Sequence, residues 1–161
     1  MRRIYIIRHG KAEDPNFSKR DFDRNLVERG RQDAMRVAHE IAADIVIDQQ
    51  TLAISSSANR AIQTAELMCA IFDYPTDRIQ KAMQIYEAHH LDILKVINSI
   101  PDDVHTVFLF GHNPGLSSLV TYLTDEYAEL KTAYAAYLEF PDSMTFPQLS
   151  GQTAALQHIF E

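Results

Sequence analysis

Short apolar runs alternate along this chain with stretches in which apolar residues recur every three or four positions. Ile4-Tyr5-Ile6-Ile7 predicts a buried strand from about Arg3 to Arg8. A polar loop follows, carrying Asp14-Pro15-Asn16 and Asp21-Phe22-Asp23. Val27, Ala34, Val37, Ala38 and Ile41 then mark a first helix from about 28 to 43. Leu52-Ala53-Ile54-Ser55 predicts a second strand, and Ala61, Ile62, Ala65, Met68, Cys69 and Phe72 a second helix. Ile79 to Ile85 reads as a third strand, placed at an edge because Gln80, Lys81 and Gln84 interrupt it. Leu91, Leu94, Val96 and Ile97 predict a third helix, closed by Pro101. Val104 to Phe110 is a central strand. Asn113 and Pro114 offer an N-cap and a first-turn proline for a fourth helix through Leu116, Leu119, Val120 and Leu123. Ala135 to Phe140 and Ala154 to Phe160 read as two closing strands, a hairpin.

Strands alternating with helices predict an α/β fold of three layers, α/β/α. The central sheet is mostly parallel, with helices on both faces and an antiparallel strand at an edge. No repeat, linker or composition shift divides the chain, so a single domain over 1–161 is expected.

Composition narrows the classes. With 46% apolar and 23% charged residues the balance is globular, and no apolar stretch is long enough for a membrane span. The N-terminus runs through Arg2 and Arg3 directly into a strand, unlike a secretory leader, so a cytoplasmic protein is the expectation. Cys69 is the only cysteine, which excludes an internal disulfide and, in its apolar helix, reads as an inert core thiol. The net charge of −7 is uneven: residues 1–36 carry ten of the fifteen Lys and Arg and a net +4, leaving −11 elsewhere. Such a segment can focus an anion on an acidic protein, while Arg29, Arg31 and Arg36 read as a solvated helix face. No basic run interleaved with aromatics extends further, which disfavours nucleic acid.

The candidate chemistry lies at strand ends. Arg8-His9-Gly10 ends the first strand, Ser55-Ser56-Ser57 the second, and Gly111-His112-Asn113-Pro114 the strand near 110. In a parallel sheet these ends share one edge, where ligands of open α/β sheets bind. Arg60 falls in the first turn of the second helix, where free N–H groups and the dipole already favour an anion. Two imidazoles and two guanidiniums around one space would repel one another without an anion, and phosphate suits them. Taken singly, each has a solvated or structural reading. His39, His105 and His158 read as structural or solvated. His89 and His90 are adjacent, but neighbours on a helix do not share a face, so no metal site is expected.

Arg8-His9-Gly10, the segment from Ser55 to Ala65 and Gly111-His112-Asn113-Pro114-Gly115, in that order, resemble the histidine phosphatase, or phosphoglycerate mutase-like, superfamily. Asp23-Arg24-Asn25-Leu26, Glu28-Arg29-Gly30 and Tyr86-Glu87-Ala88 resemble its small SixA branch, associated with phosphohistidine phosphatase activity. Ser57 stands where the family commonly has proline, which implies a changed loop rigidity. The resemblance implies that His9 attacks phosphorus and is transiently phosphorylated, without metal or other cofactor. Arg8 and Arg60 would clamp the phosphoryl oxygens, His112 would donate to them, and Asn113 with the N–H groups after His112 would complete the phosphate cradle. The general acid stays open between Glu87, the first choice, and Asp21 or Asp23. The expected substrate is a phosphohistidine in a partner protein, such as a phosphotransfer domain or phosphocarrier. The alternatives are a small phosphate ester and a phospho-binding module without turnover. A monomer is expected.

Overall fold

A computed structural model describes residues 1–161. The elements run β1 (Arg2–Arg8), α1 (Glu28–Ala42), β2 (Thr51–Ser56), α2 (Asn59–Phe72), β3 (Gln80–Ala82), α3 (His90–Asn98), β4 (Thr106–Gly111), α4 (Gly115–Thr124), β5 (Ala135–Phe140) and β6 (Ala155–Phe160). All six strands form one sheet in the order β3-β2-β4-β1-β5-β6. The first four are mutually parallel, whereas β5 pairs antiparallel with β1 and β6 antiparallel with β5. This is the expected α/β architecture, with the antiparallel strand one position in from the edge.

Period-two alternation along β1 builds both halves of the core. Ile4 and Ile6 face a cluster with Val107, Leu109, Ile93, Ile97, Leu116 and Leu119, roofed by α3 and α4. Tyr5 and Ile7 face the opposite cluster with Phe108, Phe110, Ala34, Val37, Ala65 and Met68, roofed by α1 and α2. A strand buried on both faces needs an uninterrupted apolar run, which is why β1 and β4 are the clearest strands in the sequence. No helix is long and apolar enough to cross a membrane.

Several boundaries differ from the sequence expectation. The strand expected over 79–85 is only Gln80–Ala82, followed by a 3-10 turn at Met83–Ile85. The chain turns there because Ile85 is buried in the core while Met83 stays exposed. Helix α4 begins at Gly115, with Pro114 before it and a cis Asn113–Pro114 peptide. Asn113 still caps, since its Oδ1 accepts from the Ser117 N–H at 3.1 Å. The closing hairpin is long: residues 141–154 link its strands and include a 3-10 turn at Phe146–Gln148 whose Phe146 packs edge-on against Phe140.

Candidate active site at the strand ends

Register brings the candidate residues together. Arg8 at the end of β1 lies opposite Gly111 at the end of β4, and the His9 N–H donates to the Gly111 carbonyl at 3.1 Å. His9 and His112 therefore emerge side by side, with ring centroids 5.2 Å apart. From β2 the chain enters α2 within two residues, putting Arg60 in the helix's first turn. Gly10 is seated on that turn: its N–H donates to Thr64 Oγ1 at 3.0 Å, and Thr64 donates to the Arg60 carbonyl at 2.7 Å. His9, Arg60 and His112 are buried to 7%, 7% and 8% exposure, and neither imidazole is paired with an acid, which is unusual for such groups.

The tautomer of His9 follows from one contact. Its Nδ1 lies 2.7 Å from the Gly10 carbonyl, an acceptor only, so Nδ1 carries the proton and Nε2 keeps its lone pair. Burial is the main cause that lowers the His9 pKa, to about 4, with the Arg60 and Arg8 guanidiniums adding to it. His112 is lowered to about 3, again by burial first and then by His9 and Arg60. Both imidazoles are thus neutral at pH 7.

His112 Nε2 lies 2.8 Å from Ser56 Oγ, and that hydroxyl already accepts from the Ala58 N–H at 3.3 Å. The arrangement favours the hydroxyl proton going to Nε2, which puts the imidazole proton on Nδ1. That Nδ1 is buried with no partner, as are Nε of Arg8 and Nε of Arg60. A buried donor left unmade costs about 1–3 kcal/mol, and three from converging groups are relieved together by one multivalent acceptor. Three of the four terminal guanidinium nitrogens are engaged elsewhere. Arg8 Nη1 donates to the Leu130 carbonyl at 3.0 Å, while Arg60 Nη1 and Nη2 donate to the Asp21 carbonyl and Oδ2 at 2.8 and 3.1 Å.

The remaining candidates stand differently. The Asn113 side chain is engaged on the far side, with Nδ2 donating to the Leu130 carbonyl at 2.6 Å and Oδ1 accepting from Ser117, while its backbone N–H makes no hydrogen bond. Glu87 is exposed, has no hydrogen bond and adopts a left-handed backbone at φ 53°. Asp21 is held below the usual carboxylate range by the Tyr86 hydroxyl and Arg60, and Asp23 by its bond to Arg20. Ser57 is half-buried and makes no side-chain hydrogen bond. The His89 and His90 rings lie 4.2 Å apart, with no third His, Cys, Asp or Glu beside them. Sequence reasoning missed Ser56 and Thr64 as supports, although both lie in quoted motif segments. It also missed the Leu130 carbonyl, which no residue type signals. The largest surface cavity, about 580 Å³ between Leu52, Lys81 and Pro101, contains none of these residues.

Residues 4–90 match the histidine phosphatase superfamily (branch 1), and the chain belongs to that superfamily. It is 31% identical over 147 residues to an uncharacterised chloroplastic protein of Arabidopsis thaliana, across 86% of this chain and 66% of that relative's length. A structure provisionally assigned as the phosphohistidine phosphatase SixA of Agrobacterium tumefaciens superposes with a TM-score of 0.82 at 25% identity, over 99% of this chain and 97% of that one. The protein histidine phosphatase SixA complexed with tungstate shares the fold, with a TM-score of 0.80 at 17% identity over 98% and 96% of the two chains.

Proposed function

We propose that this protein is a phosphatase that hydrolyses a phosphoryl group through a covalent phosphohistidine on His9, and that its substrate is a phosphohistidine in a partner protein. The observation that carries the reading is the pairing of an unprotonated His9 Nε2 with three buried nitrogens that lack acceptors. In the first step Nε2 gives its lone pair to phosphorus as the bond from phosphorus to the leaving nitrogen breaks, and the departing imidazole takes up a proton. Water then attacks phosphorus, the P–Nε2 bond breaks and inorganic phosphate leaves. Arg8, Arg60 and His112, with the Asn113 N–H, bind the non-bridging oxygens and stabilise their charge in both displacements.

Glu87 is the proposed proton donor; its exposure lets it reach a leaving group at the rim, and its left-handed backbone is a strain of the kind that gathers at functional sites. An imidazole leaving group is much less basic than an alkoxide, so a solvated acid suffices for it. The wall beside the cradle is aromatic. Tyr86 stands edge-on to His112 at 5.6 Å and to Phe22 at 5.2 Å, which suits a planar leaving group. A SixA protein has been solved with tungstate, a tetrahedral oxyanion like phosphate, on the same fold. Cys69, buried and unpaired, suits a reducing compartment such as the cytoplasm.

The test is phosphate release from a panel of phosphohistidine proteins and small phosphate esters under one set of conditions, with acid-quenched labelling of the enzyme. Wild type is expected to release phosphate fastest from phosphohistidine protein and to carry label on His9. His9→Ala is expected to lose label and release while keeping its circular dichroism spectrum. Faster turnover of small esters would transfer the assignment to a phosphomonoesterase, and binding without any release to a phospho-binding module.

A further inference from the structure

Asp21 is the acid that touches the cradle. It takes the end of the Arg60 guanidinium, its carbonyl accepting from Nη1 at 2.8 Å and its Oδ2 from Nη2 at 3.1 Å, and so leaves the edge that bears Nε. The same Oδ2 accepts from the Tyr86 hydroxyl at 2.6 Å, and Oδ1 accepts from Arg24 Nη1 at 2.9 Å. Arg24 is in turn anchored through Nε to the Glu13 carbonyl at 2.8 Å. The segment is sewn to α2 as well, because Asn59 Nδ2 donates to the Asp23 carbonyl and to Asn25 Oδ1, each at 3.1 Å. Asp21 is therefore held on several sides, and it holds Arg60.

A carboxylate beside a phosphate site looks counterproductive. Its charge repels a dianion, so an acid acting through charge alone would weaken binding, and removing it would tighten binding. An acid acting through geometry has the opposite sign. A guanidinium binds two oxygens well only when its plane is fixed, and an arginine with free rotamers loses that advantage.

Resting on the proposed phosphatase reading, we propose that Asp21, itself pinned by Tyr86, is a positioning residue that orients the Nε edge of Arg60 towards the phosphoryl group, so that its negative charge strengthens oxyanion binding. Tyr86 thereby joins the two sides of the cradle, bonding to the Arg60 support while packing edge-on against His112.

Affinity for inorganic phosphate, measured by calorimetric titration without turnover, tests this on the full chain. Asp21→Ala is expected to weaken phosphate binding about tenfold, the size of one lost charge-assisted bond. Tyr86→Phe should weaken it by a smaller factor, and Asp21→Asn, which keeps an acceptor for Nη2, should fall between wild type and alanine. In an Arg60→Lys background, where no guanidinium remains to be oriented, Asp21→Ala should weaken binding no further. Phosphate binding that is unchanged or tighter in folded Asp21→Ala, or an equal loss in both backgrounds, overturns the inference. If Asp21→Ala fails to fold, Asp21→Asn and Tyr86→Phe carry the same comparison. Wild type that binds no phosphate would sink the phosphatase reading itself, a result separate from any ranking of the variants.

Discussion

A buried histidine pair with no acid bonded to either ring has a thermodynamic signature. His9 titrates at about 4 and His112 at about 3 in the folded chain, against 6.5 for an ordinary imidazole, and burial is the main cause in both. Below about pH 6.5 the unfolded chain takes up protons that the folded chain refuses. Stability is therefore complete above 6.5 and declines as pH falls towards 4, by about 1.4 kcal/mol per pH unit for each group. The melting temperature is expected to drop between pH 6.5 and 5, before most carboxylates titrate. Added phosphate should reduce that drop, because a bound dianion favours the charged imidazoles. A melting temperature flat over this window, measured by scanning calorimetry, would contradict neutral burial of the pair. The residue types Arg8, His9, Arg60 and His112 were readable from sequence because they interrupt apolar patterns at strand and helix ends. Their proton positions were not, since the Gly10 carbonyl and the Ser56 hydroxyl set them.

Elements deliver these residues through close backbone contact. A Cβ on Gly30 in α1 would lie 2.1 Å from the Lys11 carbonyl oxygen, and one on Gly10 would lie 2.6 Å from the Gly30 carbonyl oxygen. Helix α1 and the turn after β1 thus meet at two glycines, and that contact holds the backbone from which His9 projects. Both neighbours are main chain, which cannot swing aside. Gly30→Ala is expected to destabilise by about 1–3 kcal/mol, as overpacking does, and to lower activity by displacing the turn. Urea unfolding with a kinetic assay checks it; a variant with wild-type midpoint and rate would show that the contact is slack. Periodicity located all four helices and the strong strands. It overran β3, because an alternating pattern does not show where the chain must turn to bury Ile85.

At the scale of the whole molecule, the closing segment completes the site. The superfamily match ends at residue 90, yet the Leu130 carbonyl accepts from both Arg8 Nη1 and Asn113 Nδ2. The Ala133 N–H donates to the carbonyls of Arg8 and His9 at 3.1 and 3.0 Å, and β5 covers the edge of β1 along its length. Ending the chain after Thr124 would expose an apolar central strand and free Arg8. The truncated protein is expected to lose cooperative unfolding and phosphate binding, as followed by circular dichroism and titration. Retained binding would place the site wholly in the first 124 residues. The basic excess of residues 1–36 is also modified by folding. Lys19, Arg20, Arg24, Arg29, Arg31 and Arg36 all pair with acids of the same segment, whereas Arg8 has no acid partner.

By itself the sequence determined the α/β layering and which side chains stand beyond the carboxyl ends of the parallel strands. Apolar alternation and burial act through residue type, and residue type is what a sequence records. Only the tertiary structure decided which nitrogen of His9 is free, which edge of Arg60 is open, and that Asp21 bonds to both Arg60 and Tyr86. Those outcomes depend on carbonyls and a carboxylate brought in from distant segments, whose directions are set by the packed backbone and leave no mark in the local pattern.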